Sequence, residues 1–96
     1  MILHPGETYL VRVVGDSMIN ANLLAGDVLI VDRVLEPRDR SIVVAIVDGE
    51  LTVKRLRIVE RRKFLMPEND DYPMIPISER VYHWGVVIYS YRKHFF

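Results

Sequence analysis

Apolar and polar residues along the chain form short segments of alternating or continuous hydrophobicity, with almost none of the 3.6-residue periodicity that marks helices. Residues 41–47 (SIVVAIV) are apolar almost throughout, which predicts a strand that is buried on both faces. The full set of predicted strands comprises residues 8–14, 27–32, 41–47, 51–58, 64–66, 75–77 and 82–92. Short strands at this regular spacing predict a mainly β domain with coiled, partly barrel-like sheets and little helix.

Turn signals separate the predicted strands, and none of them is long enough to act as a linker between domains. Asp48-Gly49 is the strongest of these signals, because both residues tolerate the positive φ angles of a tight hairpin. Residues 17–24 can form one or two helical turns, residues 60–63 (ERRK) a charged turn, and residues 67–73 an irregular acidic loop. Since no repeat or low-complexity segment divides the chain, residues 1–96 are predicted to form a single domain.

The composition excludes several classes of function. The 13 basic residues equal the 13 acidic ones, so the chain lacks the positive excess of proteins held to nucleic acid through its phosphates. The sequence contains no cysteine, and its three histidines (His4, His83 and His94) have no metal-ligand spacing, so we expect no metal or other cofactor. The apolar runs are too short to span a bilayer and the N-terminus lacks a signal peptide, so we expect a cytoplasmic protein without a membrane partner.

One serine lies where a predicted strand ends, in the segment VVGDSMINANLL of residues 13–24. Gly15, Asp16 and Ser17 are common turn residues, and a serine hydroxyl often caps a short helix, so the segment alone favours a structural role. The alternative is that Ser17 is a nucleophile, which needs a base from another part of the chain.

Lys54 lies on a strand face that is predicted to point inward. Alternation along residues 51–58 divides the strand into two faces, one with Leu51, Val53, Arg55 and Arg57 and the other with Thr52, Lys54, Leu56 and Ile58. The two large apolar side chains of the second face predict its burial. Two interpretations stay open: an edge-strand lysine that opposes aggregation, or a partly desolvated amine whose lowered pKa suits a general base. In the second interpretation the Thr52 hydroxyl orients the amine, and Ser17 with Lys54 forms a complete pair for acyl transfer.

Six blocks of the sequence occur in the order found in a known family. They are GDSM at 15–18, GDVLIVD at 26–32, DGELTVKRL at 48–56, LMPEN at 65–69, YPMIPI at 72–77 and WGVVIY at 84–89. Together they resemble the C-terminal peptidase domain shared by LexA, phage repressors and the UmuD mutagenesis proteins, a family of serine–lysine autopeptidases. The resemblance covers nearly the whole chain, and the segments HPGETYLV at 4–11 and GVVI at 85–88 are most similar to UmuD.

The resemblance implies roles for individual residues. Ser17 corresponds to the nucleophile and Lys54 to the general base of a serine–lysine dyad, and Thr52 corresponds to a supporting hydroxyl. Backbone N–H groups around Ser17 and Met18 are the expected oxyanion donors, a role that depends on the turn rather than on side-chain identity. The implied fold is the coiled, partly barrel-like β-sheet of LexA and the signal peptidases.

The resemblance also implies a place in the SOS response to DNA damage. Family members cleave themselves when a RecA–single-stranded-DNA filament stabilises the reactive conformation. In UmuD the processed form is a homodimer that joins a Y-family, UmuC-like DNA polymerase for error-prone translesion synthesis. The alternative is the peptidase and dimerisation half of a LexA-like or phage-type repressor. No direct sequence-specific DNA binding by this domain is expected in either case.

One departure from the family pattern concerns the bond that is cut. Family members cleave an Ala-Gly or Cys-Gly bond well upstream of the serine, whereas sixteen residues precede Ser17 here and none of them forms such a bond. Ala25-Gly26 follows the serine within a turn block and is a poor candidate. We therefore expect that this chain does not perform the usual self-cleavage, while cleavage of another chain in trans stays open.

Two further features concern the surface of the domain. A basic cluster, for which a solvated hairpin end is favoured over a partner-binding patch, consists of Arg55, Arg57, Arg61, Arg62 and Lys63. An aromatic C-terminal segment contains Trp84, Tyr89, Tyr91, Phe95 and Phe96. Alternation places some of these aromatic side chains outside the core, which predicts a homodimer through this region.

Overall fold

The computed structural model describes residues 6–78 and 80–92, and these residues form seven strands and one short 3₁₀ helix. The strands are β1 (Thr8–Arg12), β2 (Val28–Asp32), β3 (Ile42–Val47), β4 (Glu50–Val59), β5 (Arg62–Met66), β6 (Ile75–Pro76) and β7 (Val81–Tyr91). The 3₁₀ helix, Ile19–Ala21, lies between β1 and β2. The predicted mainly β fold with little helix is confirmed. The predicted features at His4, His94, Phe95 and Phe96 lie outside the described residues.

All seven strands belong to one antiparallel sheet, in the order β1-β2-β7-β3-β4-β5-β6. The longest strand, β7, bridges its two parts, because its first half pairs with β3 up to Val86 and its second half pairs with β2 from Val86 onwards. Among the described strands the sheet is not closed, and β1 and β6 are its edges. The single sheet therefore has two parts, and β7 is the strand that belongs to both.

The two hairpin turns, between β3 and β4 and between β4 and β5, differ in how closely they match the predicted turns. Asp48 and Gly49 have φ angles of 50° and 85° and connect β3 to β4, as predicted. The turn between β4 and β5 is shorter than the predicted charged turn over 60–63, because β5 already begins at Arg62. Glu60 and Arg61 alone make this turn, with φ angles of 51° and 67°. Neither residue type favours positive φ, so the sequence carried no signal for a two-residue turn.

Two clusters of buried apolar residues stabilise the fold. The first consists of Val13, Met18, Leu23, Leu29, Val31 and Val44. The second consists of Val43, Ala45, Leu56, Leu65, Val81 and Val86. Because successive strand residues point to opposite faces, β3 contributes to both clusters and is buried on both sides, as predicted. Within the described ranges, no helix has the length and apolar character needed to cross a membrane.

The C-terminal aromatic residues differ in their environments. Trp84 is half-buried, with its ring centroid 5.3 Å from that of Tyr9 and 4.6 Å from the Arg33 guanidinium carbon. Tyr89 and Tyr91 are about half exposed, at 49% and 52%. Tyr82 in the first half of β7 is 64% exposed, so both halves present tyrosine side chains to solvent, while Val81 and Val86 contribute to the core.

Candidate active site

Ser17 lies in a long loop, residues 13–27, that leaves the end of β1 and returns to β2. Two backbone hydrogen bonds close the base of this loop. The Val13 N–H donates to the Asp27 carbonyl at 2.8 Å, and the Gly26 N–H donates to the Val13 carbonyl at 2.9 Å. We call these residues the serine loop, and its closed base makes it a defined unit rather than a free connection.

The side chain of Asp27 reinforces the base of the serine loop. It is buried and accepts hydrogen bonds from the Leu24 N–H at 2.9 Å and from Nε and Nη2 of Arg92 at 2.7 and 2.8 Å. The Arg92 hydrogen bonds lower the pKa of Asp27 to about 2. The carboxylate is therefore charged at neutral pH and ties the loop to the end of β7.

The apex of the serine loop is anchored by Met18, which is 1% exposed and belongs to the first core cluster. Met18 also occupies the N-cap position of the 3₁₀ helix, and no side-chain hydrogen bond caps that helix. The capping role that the local sequence favoured for Ser17 is therefore wrong.

Lys54 lies in the middle of β4, where it pairs with Val43 of β3. It is 7% exposed and Leu56 on the same face is 4% exposed, whereas Leu51 on the other face is 55% exposed. The predicted inward face is confirmed. Burial lowers the pKa of the Lys54 amine below its ordinary value. The interpretation of Lys54 as an exposed edge-strand lysine is therefore wrong.

The Lys54 amine has three polar neighbours. Its Nζ lies 2.9 Å from Ser17 Oγ, 2.8 Å from Thr52 Oγ1 and 3.2 Å from the Val53 carbonyl oxygen. A neutral amine has two N–H donors and one lone pair. Two donors can serve Thr52 and Val53, which leaves the lone pair directed at the Ser17 hydroxyl. The structure thus brings together Ser17, Lys54 and Thr52, which the sequence singled out from positions up to 37 residues apart.

A second loop, residues 67–73, also contacts the serine loop. Asn69 Nδ2 donates to the Asp16 carbonyl at 2.9 Å, and the Asn20 N–H donates to the Glu68 carbonyl at 2.7 Å. The Tyr72 hydroxyl donates to the Asp16 carboxylate, and this bond raises the pKa of Tyr72. We call residues 67–73 the bracing loop. Sequence reasoning missed these contacts, because the composition of an acidic loop does not indicate whether its Asn and Asp side chains contact a neighbouring loop.

Two grooves adjoin the Ser17–Lys54 pair and share the lining residues Leu51 and Thr52. The first has a volume of about 420 Å³ and is lined by Ser17, Met18, Thr52, Arg12 and the apolar residues Leu10, Val11, Val13, Val14, Val44, Leu51 and Val53. The second has a volume of about 430 Å³ and is lined by Lys54, Thr52, Tyr72, Asp48, Glu50, Val47, Leu51, Pro73 and Ile75. The first groove is lined mainly by apolar residue types, and we call it the apolar groove, whereas the second also contains the ionisable side chains of Asp48, Glu50, Lys54 and Tyr72.

The remaining candidate features give no second site. In the described part of the chain, no group of three or more His, Asp or Glu side chains is placed to hold a metal ion. Within the basic cluster, Arg55 pairs with Glu68 and Arg57 with Asp39. Arg61, Arg62 and Lys63 are exposed around the β4–β5 turn. The cluster is thus partly neutralised by acidic neighbours.

An antiparallel sheet that holds a serine hydroxyl against a buried lysine amine places the chain in the class of proteins with a serine–lysine pair. The chain belongs to the peptidase S24-like family, which matches residues 1–88. The prediction of a UmuD-like member of the LexA/UmuD family is confirmed.

Curated relatives resemble the chain over most of its length. It is 46% identical over 96 residues to the MucA protein of Salmonella typhimurium, an alignment that covers 97% of the chain and 65% of MucA. It is 42% identical over 86 residues to the SamA protein of the same species, covering 90% of the chain and 60% of SamA. A LexA repressor of Shewanella is 42% identical over 77 residues, which is 80% of the chain and 37% of that repressor. The chain thus spans about two thirds or less of these relatives.

Proposed function

We propose that Ser17 and Lys54 form the catalytic dyad of a UmuD-like serine peptidase. The observation that carries this proposal is the 2.9 Å contact between Lys54 Nζ and Ser17 Oγ at a place where the lysine is 7% exposed. Burial disfavours the charged ammonium, so a larger fraction of the amine is neutral than in a solvated lysine at the same pH. A neutral amine in contact with a hydroxyl is the base that a serine nucleophile requires.

In the proposed reaction Lys54 acts first as a base and then as an acid in each of two steps, acylation of Ser17 and hydrolysis of the acyl-serine. The Lys54 lone pair accepts the proton of the Ser17 hydroxyl while Oγ bonds to the carbonyl carbon of the substrate, and the carbonyl electron pair moves onto its oxygen. Collapse of this tetrahedral intermediate breaks the C–N bond, and the Lys54 ammonium protonates the leaving amine. Water then attacks the acyl carbon with Lys54 again as base, the bond between this carbon and Ser17 Oγ breaks, and the Lys54 ammonium returns a proton to Oγ. Thr52 positions the amine throughout, because its hydroxyl lies 2.8 Å from Nζ.

The two grooves support one direction for the substrate. Ser17 lines the apolar groove and Lys54 lines the other one. The acyl half of the substrate stays bonded to Ser17, whereas the amine half takes its proton from Lys54. We therefore propose that residues before the cut bond occupy the apolar groove and that residues after it leave along Lys54.

Cleavage of a peptide in trans tests the dyad. Ser17→Ala and Lys54→Ala are each expected to lower the cleavage rate of a peptide with an Ala-Gly or Cys-Gly bond by at least about 1,000-fold. Ser90→Ala and Lys63→Ala are matched controls, because both residues are exposed and lie outside the two grooves that flank Ser17 and Lys54. The controls are expected to keep wild-type rates. Full activity of a folded Lys54→Ala variant contradicts the dyad.

The partners implied by UmuD-like membership are also proposals. We propose a cytoplasmic homodimer that acts in SOS mutagenesis with a Y-family DNA polymerase, and whose processing a RecA–single-stranded-DNA filament stimulates. The exposed Tyr89 side chain supports the dimer, since it shares a sheet face with Leu10, which is 67% exposed. A monomeric mass at micromolar concentration contradicts the dimer, and failure to co-purify with such a polymerase contradicts the partnership.

Similarity to LexA repressors favours a second candidate, the peptidase and dimerisation half of a repressor. The mass and N-terminal sequence of the intact gene product distinguish the two candidates. A preceding helix-turn-helix domain supports the repressor, whereas an arm of a few tens of residues supports the UmuD-like protein.

A further inference from the structure

The proposed chemistry assigns no role to the buried polar side chain of Asn69. Asn69 in the bracing loop is 8% exposed, and its amide is bonded at both ends. Its Nδ2 donates to the Asp16 carbonyl at 2.9 Å, and its Oδ1 accepts from the Asp71 N–H at 3.0 Å. The second bond stabilises the bracing loop itself, whereas the first reaches a residue 53 positions away, directly before Ser17.

The Asp16 carbonyl and the Ser17 N–H belong to the same peptide group. The described residues contain no cis peptide bond, and in a trans peptide the C=O and the N–H point in opposite directions. The Asp16 carbonyl accepts from Asn69 on one side and from the Ile19 N–H at 3.2 Å within its own turn. A carbonyl held by two donors cannot rotate freely, so the direction of the Ser17 N–H is set as well.

Within residues 6–78 and 80–92, the Ser17 N–H has no hydrogen-bond partner. Among the hydrogen bonds of the described residues, the serine loop uses the N–H groups of Ile19, Asn20, Ala21, Asn22 and Leu23 but not that of Ser17. An N–H beside the nucleophile with no partner in the described chain is the kind of donor that an oxyanion requires.

We propose that Asn69 is a positioning residue that orients the Ser17 N–H as an oxyanion donor. This inference rests on the proposed function, and it adds a residue that acts through the Asp16–Ser17 peptide rather than on the substrate. Tyr72 supports the same arrangement, because its N–H donates to the Asn69 carbonyl at 3.1 Å and its hydroxyl holds the Asp16 carboxylate. Backbone and side chain of residue 16 are thus both held by the bracing loop.

Asn69→Asp is the sharpest variant, because it keeps the size of the side chain and the oxygen that accepts from Asp71. It replaces the donating amide with a carboxylate oxygen that cannot donate to the Asp16 carbonyl. Removal of a complete oxyanion donor lowers kcat by about 100- to 1,000-fold, so loss of its orientation is expected to lower kcat by about 10- to 100-fold. KM is expected to stay within about twofold, because the donor bonds mainly to the transition state. The exposed residue Asn20 provides the matched control, Asn20→Ala, which keeps the backbone bond to Glu68.

Inhibitor binding separates positioning from a general structural role. A peptide aldehyde forms a bond between Ser17 Oγ and its carbonyl carbon, and the resulting oxygen occupies the oxyanion position. The matching peptide amide binds the grooves without this oxygen. Asn69→Asp and the uncharged variant Asn69→Ala are each expected to weaken the aldehyde by about 10- to 100-fold and the amide by less than about twofold. Equal weakening of both ligands, or no weakening of either, overturns the inference.

The two proposals fail in different ways. If the wild-type chain neither cleaves the peptide nor binds the aldehyde more tightly than the amide, the dyad proposal fails. The Asn69 inference is then decided by nuclear magnetic resonance. We expect a scalar coupling across the hydrogen bond between the Asn69 side-chain nitrogen and the Asp16 carbonyl carbon. We also expect a larger shift of the Ser17 amide signal in Asn69→Ala than in Asn20→Ala. Absence of both overturns the inference whatever the activity.

Discussion

The two members of the Ser17–Lys54 pair are held in place by different kinds of structure. Lys54 is carried by a ten-residue strand that pairs with β3 on one side and with β5 on the other. Ser17 is carried by a loop whose helical content is three residues. Side chains from Asn69, Tyr72 and Arg92 hold that loop.

This difference shows that one site can combine a base positioned by backbone pairing with a nucleophile positioned by side chains. Strand pairing depends little on which side chains are present, so the location of Lys54 tolerates substitution around it. The serine loop depends on a few polar groups from distant positions, so loss of one of those groups changes the geometry of Ser17. The experiments below test this contrast, from the largest expected effect to the smallest.

Hydrogen exchange compares the two regions directly. The Leu56 N–H donates to the Ser41 carbonyl at 2.8 Å beside β4, and the Asn20 N–H donates to the Glu68 carbonyl at 2.7 Å in the serine loop. These bonds have similar lengths, so a difference in exchange reports how cooperatively each region opens. We expect the Leu56 amide to exchange at least about 100-fold more slowly than the Asn20 amide, after correction for intrinsic rates. Equal protection contradicts the contrast.

The pH dependence of cleavage tests Lys54, the member of the pair that is held by strand pairing. Burial lowers the pKa of Lys54, and the proposed reaction uses its neutral form. The rate is therefore expected to rise by about 10-fold per pH unit below that pKa and to level off at a lower pH than an exposed lysine would allow. Asn69→Ala, which adds no charge, is expected to lower the whole profile without moving it appreciably along the pH axis. A rate that falls from about pH 7 to 9 contradicts Lys54 as the base.

The free energy of unfolding at acid pH tests Asp27, whose side chain holds the base of the serine loop. The folded pKa of Asp27, about 2, lies below its ordinary value of 3.8, so the folded state favours the charged carboxylate. Its contribution to the free energy of unfolding is complete above about pH 5 and is lost as the pH falls through about 2. Asp27→Asn is expected to lower this free energy by about 1–2 kcal/mol at pH 7, and the difference from wild type should shrink toward pH 2.

A control variant checks that the Asp27 effect belongs to its hydrogen bonds. Asp70 is an exposed carboxylate in the bracing loop, and Asp70→Asn is expected to change the free energy of unfolding by less than about 0.5 kcal/mol. Denaturant titrations of both variants at several pH values provide the measurement. An Asp27→Asn difference that does not vary with pH contradicts the role of the Arg92 pair.

The strand half of the site could be predicted from the sequence because strand periodicity is local. Alternation along residues 51–58 assigned Lys54 and Thr52 to the buried face, and Asp48-Gly49 located the hairpin that aligns β4 with β3. Each of these signals spans a few neighbouring residues. Local physics therefore sufficed to assign Lys54 and Thr52 to the same inward face, but it left an edge-strand lysine open as the alternative.

The position and the contacts of Ser17 could not be predicted from local sequence patterns in the same way. The local pattern around Ser17 favoured a helix cap, and the order of the six family blocks, rather than any property of the turn, singled out the serine. Nothing local in the segment LMPEN indicates that Asn69 bonds a carbonyl 53 residues earlier. Such contacts depend on the packing of two loops, which periodicity and turn chemistry do not describe.

The position of β7 has a consequence for how the chain folds. Strands β3 to β6 can pair one after another as they are synthesised, and so can β1 and β2, because these partners are neighbours in sequence. Among the described strands, backbone pairing between the two groups runs only through β7, which is the last of these strands to leave the ribosome. Pairing between distant segments is the slow part of sheet formation. We therefore expect that, until β7 is synthesised, the first seventy or so residues form two separate folding units on the ribosome. One unit contains the serine and the other contains the lysine.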